Sequence, residues 1–144
     1  MAIQQIICQG QLLALIISHR FKEPGIHFFT PDEFSQQLAY IHHPAGKIIP
    51  PHVHNPVHRE VIYTQEVLFI KAGKLRVDFY DDLEHYLESR ILEAGDVILL
   101  IKGGHGFEVL EAIEMIEVKQ GPYVGEQDRT RFEGIASQQA KIVE

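Results

Sequence analysis

The chain has 144 residues, of which 45% are apolar, and a formal net charge of −7. That length fits one domain with a sizeable core, and that apolar share excludes an intrinsically disordered chain. The acidic balance argues against a nucleic-acid or anionic-membrane binder, and a single cysteine, Cys8, excludes an internal disulfide.

The first ten residues, MAIQQIICQG, lack the positive n-region of a signal peptide, and the apolar run at 12–17 is short. No stretch approaches the roughly 20 apolar residues of a membrane helix. With the lone cysteine fitting a reducing compartment, the expectation is a soluble, cytoplasmic protein.

In chain order, residues 3–8 and 11–18 are β-branched and leucine-rich, and Gln9-Gly10 separates them, which predicts an N-terminal β-hairpin. Thr30-Pro31-Asp32-Glu33 carries the signals of a helix start, so one short helix is expected from Pro31 to about Gln37. Residues 38–43 read as a strand. Residues 47–54 read as extended, because Pro50 and Pro51 forbid a helix. Asn55-Pro56 breaks that segment, residues 60–63 resume it, and 66–71 form the next strand. Ala72-Gly73 turns the chain into 74–80, where Leu75, Val77 and Phe79 alternate with Arg76, Asp78 and Tyr80.

Residues 83–92 fit a helical stripe and a strand face equally well, and the pattern alone leans slightly to helix. The Asp81-Asp82 turn before them and the Glu93-Ala94-Gly95-Asp96 turn after them favour a β-meander. Residues 97–100, 106–110 and 113–118 read as three further strands. Many short strands with a turn about every ten residues predict an all-β sandwich or barrel. After Gly121-Pro122 the apolar periodicity ends, so 121–144 is expected to be a loosely structured tail.

Three histidines and one glutamate in two glycine-bounded stretches carry the chemistry: His52, His54, Glu66 and His105. Imidazole nitrogen and carboxylate oxygen are common ligands of divalent transition metals. On a strand, His52 and His54 would share a face about 7 Å apart, a chelating arrangement. Glu66 opens the next strong strand, and His105 follows the Gly103-Gly104 turn.

These stretches resemble the two motifs of the cupin superfamily. Its first motif is G-x5-H-x-H-x3–4-E-x6-G; Gly46, His52 and His54 reproduce its first half, and Glu66 and Gly73 its second. Its second motif is G-x5-P-x-G-x2-H-x3-N, matched in part by Gly95, Gly103 and His105. The resemblance covers about residues 38–120. It departs from the family at three places. Eleven residues separate His54 from Glu66, Ile101 stands at the proline position, and His105 follows Gly103 by two residues instead of three. It implies a single cupin-type antiparallel β-barrel (jelly roll) spanning 1–144, with one divalent ion (Fe, Mn, Ni, Co, Cu or Zn) held by His52, His54, Glu66 and His105. It also implies that the strands within 1–22 pair with a second copy to give a homodimer.

Glu60 and His58 compete for the ligand role, but only Glu66 has a glycine seven residues on; His58 then lines the barrel mouth and is the candidate catalytic base. The plain alternative is a pair of histidines that holds no metal. His42 and His43, as strand neighbours, face opposite ways and are expected to be structural; His19, His27 and His85 are expected on surfaces or loops. Lys119, Tyr123, Arg129 and Arg131 flank the Gly121-Pro122 turn. They are expected to be solvated or to pack on a partner, with closure over the opening to bind an anionic substrate as the alternative.

The function expected is that of a metal-dependent enzyme of isomerase, epimerase or dioxygenase type. Its substrate would be a small polar metabolite, with Lys47, His58, Tyr63 and Lys71 leaning the reading towards sugar-derived compounds. The alternatives are a non-catalytic ligand-binding or sensor barrel and a barrel that has lost its metal.

Overall fold

The computed structural model describes residues 2–144. Two compact units emerge: the chain up to Phe21 together with Tyr63–Glu144, and Lys22–Ile62.

The larger unit is one antiparallel sheet that curls into half a barrel. Its strands are β1 (Ile3–Cys8), β2 (Gln11–Ile17), β5 (Glu66–Tyr80), β6 (Tyr86–Glu93), β7 (Val97–Leu100) and β8 (Gly104–Lys119). The smaller unit pairs β3 (Gly25–Phe28) with β4 (Ala39–His42). The expected N-terminal hairpin is present as β1–β2. Gln9 and Gly10 both take positive φ, the backbone of a two-residue turn that matches strand twist.

β5 is the spine. One edge pairs with β8 along nearly its whole length; the other pairs with β7 over 66–69 and with β6 over 74–80. The segments 66–71 and 74–80, expected as separate strands, are one strand bent by irregularities between Ile70 and Leu75. Each irregularity changes which side chains face inward. Before it, Leu68 and Ile70 enter the core; after it, Leu75, Val77 and Phe79 do. Gly73 sits at the bend with φ of 93°, and a Cβ there would overlap the Ala112 carbonyl oxygen, so glycine is required. On the partner strand, segments 106–110 and 113–118 likewise fuse into β8. Ile6, Leu13, Ile16, Leu92, Ile98 and Leu100 complete the core.

The opposite face of β5 is polar and also buried. Arg76 chelates Asp78 through Nε (2.8 Å) and Nη2 (2.9 Å) and also meets Glu108 on β8. Ser89, across from Asp78 on β6, donates to its carboxylate, and the Tyr86 hydroxyl joins Ser89 at 2.7 Å. Most of 121–144 is exposed and outside strands, as expected of a loosely structured tail, but single residues between 132 and 143 anchor it to this network. Lys141 N–H donates to the Tyr86 hydroxyl (2.7 Å), and Ser89 N–H donates to the Lys141 carbonyl (2.8 Å). Ser137 donates to Glu108, Ile135 N–H to the Tyr80 hydroxyl (3.0 Å), and the Phe132 ring stands edge-on to Tyr80. The tail needs no apolar periodicity because hydrogen bonds, together with a few single side chains, hold it down.

The short helix expected at 31–37 is also corrected: those residues form turns and bends. Thr30 does not cap a helix. Its hydroxyl donates to Gln37 Oε1 (2.7 Å) and accepts from Leu38 N–H (3.2 Å), while Gln37 Nε2 donates to the carbonyls of Pro31 and Phe34. A seven-residue helix nucleates poorly, and this side-chain web satisfies the carbonyls instead. Residues 43–65, expected to be extended at 47–54 and 60–63, lie outside any strand. Pro44, Pro50, Pro51 and Pro56 remove four donors from that stretch. Of residues 83–92, 86–92 lie in strand β6, and 83–85 belong to the preceding turn, in which Asp81 Oδ1 accepts from the N–H groups of Leu83 and His85.

Asp78→Ala would leave the Arg76 guanidinium buried with one acidic partner instead of two. The expected loss is about 3 kcal/mol of unfolding free energy, read from urea denaturation; a loss under about 1 kcal/mol would show that the network is not needed to cover this face.

Candidate functional site

Strand register assembles a polar cluster on the core-facing side of the larger unit. Glu66 opens β5 directly across from Lys119, and Glu117, two residues earlier on β8, shares that face. His105 lies at the other end of β8, across from the core residue Phe79, with its ring tilted against Phe107 at 5.4 Å. The turn Gly125–Asp128 closes the far side. Asp128 accepts from the Thr64 hydroxyl (3.2 Å) and lies 4.0 Å from Lys119 Nζ.

Glu66 and His105 are partly shielded from water, and that burial shifts both groups. Burial, a hydrogen bond shared with Glu117 and the charge of Glu117 push the Glu66 carboxyl from 4.5 up to about 7, against the pull of Lys119 and Arg129. Burial first, then Arg129, lowers the His105 imidazole, while Glu117 acts in the opposite sense. Glu66 and His105 therefore answer to the same three groups: Glu117, Lys119 and Arg129. A neutral imidazole and a carboxyl that shares its proton are groups suited to metal binding and to proton transfer near neutral pH.

The histidine pair belongs to the smaller unit. His52 and His54 are exposed, with ring centres 5.1 Å apart. The His52 Nδ1 lies 3.0 Å from the Pro50 carbonyl, which can only accept, so Nδ1 carries the proton and the Nε2 lone pair is free in the neutral ring. His58 and Glu60 are exposed in the same unit, and Glu60 lines an open depression with Asp32, Phe34, Gln37 and Arg59. His42 Nδ1 is buried without a hydrogen-bond partner. His19 takes a role beyond surface filling: its ring and its backbone N–H both meet the buried Asp96 carboxylate at 2.8 Å.

The four expected metal ligands thus lie as two pairs, His52 with His54 in one unit and Glu66 with His105 in the other. Among the described residues no group of three His, Cys, Asp or Glu side chains stands at metal-holding distances. Glu117 was not singled out from sequence. The available signal was an acid sharing the face of Lys119 within the otherwise apolar run 115–118, but it becomes legible only with the β5–β8 register. No family model matches the chain, and neither a curated protein nor a solved structure matches it. Among the described residues no helix is long and apolar enough to cross a membrane.

A carboxyl raised in the folded state contributes stability that is complete below its unfolded pKa of 4.5 and is lost as pH rises to about 7. Metal-free protein should therefore lose stability over that window and then level off. Discounted for partial exposure, the loss is about 1–2 kcal/mol. Glu66→Gln should flatten this part of the pH profile in thermal unfolding, and an unchanged slope would place the titration elsewhere.

Proposed function

We propose that this chain is a cupin-type β-barrel protein that binds one divalent transition metal and acts on a small polar metabolite, with His52, His54, Glu66 and His105 as the ligands. The observation that carries the reading is the geometry of the H-x-H pair. Two imidazoles bound at about 2 Å to one ion have ring centres roughly 5 Å apart, close to the 5.1 Å of His52 and His54. A ring nitrogen donating to a backbone carbonyl, as His52 Nδ1 does to Pro50, is the usual support of a metal-bound histidine. The half-barrel of the larger unit, with Glu66 and His105 turned to its core-facing side, supports the jelly-roll assignment.

A bound ion would supply Lewis-acid polarisation of a ligand oxygen. The chain's own groups would do the rest. Glu66, its carboxyl raised to about 7 by burial and by Glu117, would hold or release a proton near neutral pH, Lys119 adds positive charge across from it, and His58 is the candidate base carried by the smaller unit. Isomerase, epimerase and dioxygenase chemistry all use such parts, and the fold does not choose among them. A second reading, a barrel that binds its ligand without metal, is favoured by the absence of a three-donor cluster among the described residues.

Elemental analysis of tag-free protein, followed by zinc and nickel titration after chelation, separates the two. The expectation is one ion per chain, affinity reduced at least a hundredfold in His52→Ala/His54→Ala, and affinity unchanged in His58→Ala. Substoichiometric metal with no effect of the double substitution would overturn the metal assignment.

The same resemblance proposes a homodimer through the N-terminal strands. In its support, β1 ends the sheet with an unpaired edge, and Ile7 on it is exposed. Light scattering at micromolar concentration should give twice the 16.5 kDa chain mass; a monomer would overturn it.

A further inference from the structure

The larger unit holds five arginines, at positions 20, 76, 90, 129 and 131. Four have acidic partners. Arg20 lies 4.0 Å from Glu93, Arg76 chelates Asp78, Arg90 meets Glu88 at 2.7 Å, and Arg131 meets Glu126 at 2.7 Å. Among the described residues Arg129 alone of the five has no carboxylate within ion-pair distance.

That isolation is built into the local structure. Glu126 and Asp128 stand within three residues of Arg129, and both are engaged elsewhere: Glu126 by Arg131, Asp128 by Thr64 and Lys119. Thr64 immediately precedes β5 and Lys119 ends β8, so Asp128 ties the turn to the end of the sheet where Glu66 and Glu117 lie. The turn ends at Arg129, in extended backbone, one residue beyond the aspartate that ties it to Thr64 and to Lys119, the register partner of Glu66. The side chain is also exposed, so an incoming molecule can reach it.

A guanidinium is always charged and offers a planar fork of donors matched to carboxylate and phosphate oxygens. Held beside a partly desolvated cluster without a protein anion of its own, it has its donor fork open to a ligand. We propose that Arg129 anchors the ligand of this site, and that the ligand is a small metabolite bearing an oxyanion group, a carboxylate or a phosphate. The proposal rests on the reading of the Glu66–His105 face as the ligand site, but not on the presence of the ion. It narrows the polar metabolite of that reading to an anionic one.

Isothermal titration of the full-length, chelator-treated protein with inorganic phosphate, and separately with malonate, tests it. Saturable binding of at least one probe is expected, and the better probe distinguishes phosphate from carboxylate. Arg129→Gln should weaken that binding about tenfold or more, the worth of a charge-assisted pair. Arg20→Gln, at an exposed arginine outside this turn, should leave it within about twofold. Circular dichroism spectra that superimpose on the unsubstituted protein's exclude misfolding as the cause. Absence of saturable binding to either probe, or equal losses in the two variants, would overturn the proposal. Because these titrations contain no metal, their outcome is independent of the metal titration, and each reading can fail alone.

Discussion

The larger unit depends on a buried ion pair. Arg76 and Asp78 lie on the face of β5 opposite the apolar core, where a guanidinium and a carboxylate are costly unless every lone pair and proton is met. Ser89, Tyr86 and Glu108 meet part of that demand. The last residues of the chain complete it, donating and accepting through their backbone at Ser89 and Tyr86. A strand buried on both faces is normally apolar on both; here one face is apolar and the other is a satisfied polar network. The C-terminal segment is therefore part of the sheet's second layer.

With β5 held on both sides, its long pairing with β8 sets the site. Register alone places Glu66 opposite Lys119 and beside Glu117, and places His105 above Phe79 at the far end of the same strand. The bulged stretch around Gly73 keeps the core face continuous although the inward side chains change parity. Partial burial then raises the Glu66 carboxyl and lowers the His105 imidazole, so that both lean to their neutral forms. The tail contributes again at this end, through Asp128 and Arg129. One segment thus covers the polar face of the sheet and supplies a cation to its candidate ligand site.

The residue pattern alone carried the all-β class, the N-terminal hairpin and the strand at 74–80. Each of these rests on a local rule: alternation of period two or a turn dipeptide. The β reading of 83–92 also came from local signals, through the turns on either side and not through the ambiguous stripe. The nearness of His52 and His54 was legible from their spacing, yet the expected strand geometry fails, because four prolines keep that stretch out of any sheet.

Tertiary structure decided what local rules could not reach. The helix signals at Thr30–Glu33 were sound as signals, but Gln37 offers the same carbonyls a shorter route to satisfaction. The tail looked structureless because its anchors are backbone groups and scattered hydroxyl partners, which leave no periodic trace. Glu117 gained meaning only from register, and Arg129, already singled out with Lys119 and Arg131, was set apart from them only by the pairing of the neighbouring charges. Sequence settles what each short segment prefers, since preference is a property of neighbours along the chain. Which distant groups share a proton, and which cation is left without a partner, depends on contacts between residues far apart in sequence, and only the folded chain determines them.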